Sequence, residues 1–277
     1  MSRLAIIALL GLAPILPSSS SPVAAAPREP VATGSSAGAR VQEHDHDHDR
    51  PATDGTYRGR IIADVMSYLG ANWLMRPSRI REERPDEMLD ALGIEPGMAV
   101  ADVGAGVGYH SLKMAERVGP EGVVYATDVQ PEMLRMLRRR AQQAGAANVR
   151  PVLVTQDDPG LPEGQLDLIL MVDVYHEVTD PEATLRGLRE ALKPGGRLVL
   201  VEFRAEDPAV PIKPEHKMSV AQARAEVEPQ GLPFKEVLDF LPWQHVIIFE
   251  KPADPADAEA DADADADAEP PGEGPAG

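Results

Sequence analysis

An apolar run that closes on an acid and passes at once into three alternate glycines constrains this chain more than any other feature. The stretch is "ADVGAGVGYHSLKMA", Ala101 to Ala115, in which Asp102 is followed by Gly104, Gly106 and Gly108. Glycine weakens the interiors of both strands and helices, so its place here implies a tight turn that something approaches closely. "MAVADV" (98–103) reads as a short strand, and from Tyr109 to Val118 the residues Leu112, Ala115 and Val118 recur three apart, as on one buried helical face. Strand, glycine turn and helix in that order bring a strand's carboxyl end and free helix N–H groups together, which is where parallel α/β sheets bind ligands.

The residues around this turn repeat the alternation. "GVVYATD" (122–128), "VRPVLV" (149–154), "LDLILMVD" (166–173) and "RLVLVEF" (197–203) read as strands, and the third of these is apolar on successive residues, as in a strand covered on both faces. Between them lie a helix from Pro131 to near Gly145, carrying Met133, Leu137 and Ala141 on one face, and a second over "DPEATLRGLREALKPGG" with Leu185, Leu188 and Leu192 on one stripe. A helix from about Ser219 to Gln230 then leads to "FKEVLDFL" and "HVIIFE", whose short separation at Pro242-Trp243 predicts an antiparallel pair at one sheet edge. The fold class expected is α/β with a mostly parallel sheet, over about residues 57–252.

Both ends have a different composition. Residues 1–26 read as a secretory signal peptide: Arg3, a 13-residue apolar stretch from Leu4 to Leu16 broken by Gly11 and Pro14, then small residues such as Ala24 and Ala26 for cleavage. The stretch falls short of the roughly 20 residues a membrane-spanning helix needs. The reading implies export to the periplasm or medium, with a cytoplasmic protein carrying an Ala-rich leader as the alternative. Residues 27–56 lack periodicity and read as a disordered linker. Within it His44, His46 and His48 alternate with acids, a spacing that gives incidental metal affinity; no residue of the folded part is assigned to a metal. The tail, 253–277, has nine acids and no basic residue, half of the formal net charge of −18. It stays solvated, and the acidic remainder argues against nucleic-acid binding through a basic face. The absence of cysteine excludes disulfides, thiolate nucleophiles and Cys-ligated metals.

The glycine spacing also separates ligands. In the dinucleotide pattern G-x-G-x-x-G the third glycine would stand at position 109, where this chain has Tyr109. A carboxylate beside the turn repels a pyrophosphate and suits a ligand with an ammonium or sulfonium centre. The motif resembles motif I of the class I S-adenosylmethionine-dependent methyltransferases, and over about residues 85–250 its companions follow in order: Asp128, "TQDDPGLP", "LMVDVYHEV" and "LKPGG". "VYHE" and "FLPWQ" together resemble a bacterial group of that family. The resemblance implies a Rossmann-like, doubly wound, mostly parallel seven-stranded sheet with an antiparallel edge strand, and S-adenosyl-L-methionine as cofactor. It implies that Asp102, Gly104, Gly106 and Gly108 pack against the cofactor's amino-acid part. Asp128 would take the ribose hydroxyls, Val129 would lie against the adenine, and Asp157 would bond the adenine amino group. Read alone, Asp128 has a lesser alternative, a helix N-cap just before Pro131.

After the fourth strand the same resemblance places residues that face the methyl group and its acceptor, with Asp173 and His176 as the catalytic candidates beside Tyr175 and Glu177. His176 suits a proton acceptor, or a histidine bonded to a neighbouring loop. Tyr68, Trp73, Met75, Arg79, Arg81, Glu82 and Glu83 are either a lid over the cofactor or a packing helix. The irregular stretch 205–219 offers Lys213 and His216 for the acceptor pocket, and Trp243 and His245 read as edge packing. The function implied is a methyltransferase acting on a small-molecule acceptor, with no stable membrane insertion. The alternative is an exported, non-catalytic nucleoside-binding protein, and an NAD-dependent reductase is disfavoured by Tyr109.

Overall fold

The computed structural model describes residues 55–253; the segment read as a signal peptide, the linker histidines and the acidic tail lie outside the described residues. A two-residue hairpin, Thr56–Tyr57 with Arg60–Ile61, precedes three short helices: α1 (Ala71–Leu74), α2 (Arg79–Glu83) and α3 (Pro85–Ala91). Then strands and helices alternate as expected: β1 (Ala99–Val103), α4 (Tyr109–Val118), β2 (Val123–Asp128), α5 (Pro131–Ala144), β3 (Val149–Leu153), β4 (Leu166–Val172), α6 (Pro181–Ala191), β5 (Leu192–Arg204), α7 (Val220–Val227), β6 (Phe234–Leu238) and β7 (Gln244–Glu250). Local chemistry sets several boundaries. Pro131 and Pro181 stand at the first turns of their helices, the Asp180 side chain caps the Ala183 N–H, and Gly145 closes α5 in the left-handed region.

The strands lie in the order β3-β2-β1-β4-β5-β7-β6, and Lys217–Met218 adds a short parallel pair beyond β5. Neighbours from β3 to β5 run parallel, whereas β7 runs antiparallel to both β5 and β6, so the reversal sits one strand in from the edge. One detail differs from the sequence reading. The helical stripe stops at Ala191, and Leu192 through Gly196 already belong to β5, whose pairing with β4 shifts register between Leu166 and Leu168. The shift absorbs Pro194 and the left-handed Gly195, which regular pairing does not accommodate.

Side-chain alternation divides the interior between two faces. Val199 and Val201 join Met88, Leu89, Met114, Leu134 and Leu137 from α3, α4 and α5, while Leu198 and Leu200 join Leu185, Leu188 and Val227 from α6 and α7. Leu166, Leu168, Ile169, Leu170 and Met171 of β4 are all fully buried, so each contributes about 1.5–3 kcal/mol of apolar burial. The chain order turns back between β1 and β4, and in such sheets the crevice outside the carboxyl ends at that point holds ligands. Among the described residues, no helix is long and apolar enough to cross a membrane.

Candidate functional site

Asp102 and the glycine turn close β1, and Asp128 closes the neighbouring β2. All three glycines lie in the left-handed region, with φ of 69°, 54° and 76° at Gly104, Gly106 and Gly108. Space is short as well. A Cβ on Gly104 would lie 2.5 Å from Val174 Cγ2, and one on Gly106 would lie 2.9 Å from Leu74 Cδ1. The turn is tied to β2 by the Ala105 N–H on the Thr127 carbonyl at 2.9 Å and by the Gly106 N–H on Asp128 Oδ2 at 2.9 Å. Asp128 Oδ1 also accepts from the Gln130 N–H at 2.8 Å, so the N-cap-like contact and the cleft position coexist.

Both carboxylates are buried, at 3 % exposure for Asp102 and 7 % for Asp128. Burial pushes Asp102 up to about 6, against the pull of the Ser111 hydroxyl, which donates to Oδ2 at 2.5 Å, and of the Arg79 charge. Burial raises Asp128 too, opposed by the N–H groups of Gln130 and Gly106. Val129 is half-buried beside it, whereas Asp157 is exposed on the loop after β3, its carboxyl lowered by a hydrogen bond to Thr155.

The segment before β1 reaches this turn. Gln130 joins it twice, accepting from the Tyr68 N–H at 2.8 Å and donating to the Met66 carbonyl at 2.9 Å. Ala71 packs with Val107 and Met133, with Met66 and Leu74 alongside. Arg79 and Glu83, at 5 % and 3 % exposure, form a buried pair at 2.5 Å, and the Arg79 guanidinium lies 4.4 Å from the Tyr109 ring centre. Tyr68, Trp73 and Met75 are exposed on its outer side. The segment is therefore a cover over the glycine turn, anchored by an ion pair and by Gln130.

Beyond β4 the polar groups are side chains. Asp173 takes φ of 54°, strain that an L-residue bears only where its surroundings impose it. Gln244 at the start of β7 donates to both Asp173 oxygens, at 2.9 and 2.8 Å. Burial, with Glu83 and Glu202 nearby, raises the Asp173 carboxyl well above its ordinary range.

Tyr175, His176 and Glu177 form one helical turn. Both ring nitrogens of His176 are engaged: Nδ1 with Glu202 Oε2 at 2.6 Å, and Nε2 with His216 Nδ1 at 3.1 Å. Burial disfavours the His176 charge, yet the Glu202 carboxylate wins and lifts it to about 9. Burial and the neighbouring His176 push His216 down to about 4, and burial pushes Glu177 up to about 7. Deeper still, fully buried Glu226 of α7 accepts from the Tyr175 hydroxyl at 2.8 Å and from Arg60 Nε and Nη2 at 2.8 and 3.1 Å. Arg60 Nη1 and the Ala63 N–H both donate to the His176 carbonyl, at 3.0 Å each.

The structure thus places Asp102, the three glycines, Asp128 and Val129 at the adjoining carboxyl ends of β1 and β2 and joins His176 to His216 after β4, where Asp173 also lies, while Lys213 and Asp157 are exposed. Glu202, Glu226, Arg60 and Gln244 were missed. Glu202 had a signal, an acid inside the apolar run "RLVLVEF", whose alternation puts it on the face of Leu198 and Leu200. Arg60 stands beside Ile61, Glu226 between Ala225 and Val227, and Gln244 between Trp243 and His245, and none carries a local signal for its distant partner.

Residues 94–238 match a family described as a methyltransferase domain. Over 131 residues the chain is 31 % identical to the ubiquinone/menaquinone biosynthesis C-methyltransferase UbiE of Shewanella sp. (strain ANA-3), a match that covers 47 % of this chain. The chain spans about half the length of the curated relatives it matches, 49 % in that case. A SAM-dependent methyltransferase from Aquifex aeolicus superposes with a TM-score of 0.64 at 26 % identity, covering 67 % of this chain and 99 % of that one. A structure titled a possible exported protein, from Bordetella parapertussis, shares the fold with a TM-score of 0.50 at 24 % identity, covering 61 % of this chain and 67 % of that one. The non-catalytic reading draws no support from the family match.

Proposed function

Since this chain belongs to the methyltransferase-domain family, we propose that it is an S-adenosylmethionine-dependent methyltransferase that methylates a small molecule held over β4 and β5, with the cofactor lying across the ends of β1 and β2. One observation supports the placement: the Gly106 N–H bonds Asp128 across the parallel pair, so that the glycine turn and Asp128 meet at the adjoining carboxyl ends of β1 and β2, with Asp102 the penultimate residue of β1. In this reading Asp102 faces the cationic amino-acid part of the cofactor, which an anion stabilises in a buried, weakly screened site. Asp128 keeps acceptor capacity for the ribose hydroxyls, because two carboxylate oxygens offer about four lone-pair sites and two N–H groups occupy only part of them. Val129 borders the adenine, and Asp157 reaches its amino group from the loop after β3. Asp173 and His176 face the methyl and the acceptor.

The chain's own contribution to rate is alignment. A methyl donor and acceptor held in line convert a bimolecular step into one within a complex, and no strong base is required for that gain. The UbiE relatives are named for C-methylation in ubiquinone and menaquinone biosynthesis, so quinone precursors are the first acceptors to test. Calorimetry with S-adenosylmethionine, S-adenosylhomocysteine and NAD tests the cofactor site, with saturable binding expected for the two sulfur nucleosides and none for NAD. A labelled-methyl assay against quinone precursors and a cell extract tests the acceptor. Label entering only macromolecules would refute a small-molecule acceptor, and absence of nucleoside binding at millimolar concentration would refute the site.

A further inference from the structure

We propose that His176, Glu177 and His216 form a binding site for one divalent transition cation of the zinc class, beside the crevice at the end of β4. Each residue offers one ligand atom, and these atoms all lie within 4.8 Å of one another. The two imidazole nitrogens, His176 Nε2 and His216 Nδ1, are 3.1 Å apart. Two nitrogens bound to one ion at about 2.0–2.1 Å, at angles from square to tetrahedral, stand roughly 2.8–3.4 Å apart. The ring centres are 5.1 Å apart with planes at 90°, and the 3.1 Å separation of the facing nitrogens puts those nitrogens, rather than a ring face, between the two centres.

The support behind His176 is of the kind a ligating histidine needs. Glu202 holds its Nδ1 at 2.6 Å, which fixes the ring's orientation and leaves Nε2 to point at the site, and the Tyr175 N–H fixes the other Glu202 oxygen at 3.0 Å. Glu202 is fully buried and His176 is 2 % exposed, so neither is a mobile surface group. The backbone is held as well, since Arg60 and the Ala63 N–H share the His176 carbonyl. Glu177 follows directly in the same turn, its Oε1 accepting a long 3.4 Å contact from the Met66 N–H. Two imidazoles and one carboxylate, without sulfur, favour Zn²⁺, Co²⁺, Ni²⁺ or Fe²⁺ over Mg²⁺ or Ca²⁺. Three protein ligands leave a fourth position for water or for a donor atom of the acceptor. The cation claim itself does not depend on the cofactor reading.

The linker histidines His44, His46 and His48 would also take up metal, so the full-length chain is tested with all three replaced by alanine. Co²⁺ and Zn²⁺ are titrated into EDTA-stripped protein by calorimetry, with the visible absorption of bound Co²⁺ as the second readout and no nucleoside present. The expected result is one tight equivalent in the linker-substituted chain, with Co²⁺ absorption typical of a low-coordinate site. Adding His216→Ala, at a half-buried position, should abolish the equivalent while the melting curve stays cooperative, and Glu177→Gln should weaken it. Glu202→Gln, which removes only the support, should weaken it about 10–100-fold. No binding by the linker-substituted chain, or one equivalent that survives His216→Ala with unchanged affinity, would overturn the proposal. Because the nucleoside is absent, either outcome leaves the cofactor assignment to its own test.

Discussion

Over the ends of β1 and β2 the polar contacts run through backbone groups: Ala105 to Thr127, Gly106 to Asp128, Gln130 to Asp128. Over β4 and β5 they run through side chains: Glu202 to His176, His176 to His216, Gln244 to Asp173, Arg60 and Tyr175 to Glu226. The first construction is a shape, set by the left-handed dihedrals of Gly104, Gly106 and Gly108. The second is a charge network whose members come from the hairpin, the turn after β4, β5, α7 and β7, so each depends on partners distant in the chain. Val174 joins the two, packing on Gly104 from the chain that leads into Tyr175 and His176.

The largest expected effect lies in the network. Glu226 is fully buried, and the side chain of its partner Arg60 is only 10 % exposed. Glu226→Ala would leave that guanidinium uncompensated and also remove the acceptor of Tyr175 and Gln222. Breaking a buried pair from one side costs about 3–5 kcal/mol, which denaturant titration reads directly. A loss below about 1 kcal/mol would mean the network is solvated and the contrast between the two halves is false. The next effect is in the turn. Gly104→Ala combines a left-handed L-residue with overpacking on Val174, together about 2–4 kcal/mol. Adding Val174→Ala relieves the contact but not the dihedral, so the double variant should recover part of the loss; complete recovery would show that the turn tolerates side chains.

This contrast also explains what the chain made legible. Asp102, the glycines and Asp128 can be read because a backbone turn is a local object: acid, spacing and following helix are contiguous, and Asp128 ends the very next strand. The strands of the sheet were legible for the same reason, each carrying its own apolar run. The hairpin at 56–61, with two residues per strand, has no run to read, and its value comes from Arg60 meeting Glu226 across 166 positions. His216 was visible as a polar residue in an irregular stretch, but its contact with His176 across 40 positions depends on β5 and the short Lys217–Met218 strand lying side by side. Gln244 looked like the end of an edge motif, and only the antiparallel run of β7 carries it to Asp173.

A smaller change separates cofactor affinity from folding. Asp128→Asn keeps the size of the side chain and one carbonyl oxygen for the Gly106 or Gln130 N–H, and removes the charge that strengthens bonds to donated hydroxyls. Hydrogen bonds to charged groups contribute about 1.5–3 kcal/mol, so S-adenosylmethionine should bind roughly 10–100-fold more weakly by calorimetry, in addition to a lower melting temperature from the one backbone N–H that loses its acceptor. Unchanged affinity would place the ribose elsewhere.

The smallest effect is a pH dependence of the backbone-built half, and its sign is opposite for folding and for binding. Asp102 titrates near 6 instead of 3.8 because burial outweighs the Ser111 hydroxyl and the Arg79 charge, with Asp128 pushing the same way as burial. A carboxyl that holds its proton more tightly when folded stabilises the fold fully below about pH 4, and that contribution is lost as pH rises through 6. A cationic cofactor needs the ionised form, so its affinity is full above about pH 7 and falls towards tenfold per unit below 6, one unit being 1.36 kcal/mol. The cofactor's thermal stabilisation should therefore shrink between pH 7 and pH 5 while the cofactor-free protein gains from this group. Asp102→Asn should flatten the binding profile at its weaker level. If the natural chain binds equally well at pH 5 and pH 7.5, or if the variant keeps the slope, Asp102 does not face the cofactor's positive charge, and the glycine turn alone holds that end of the site.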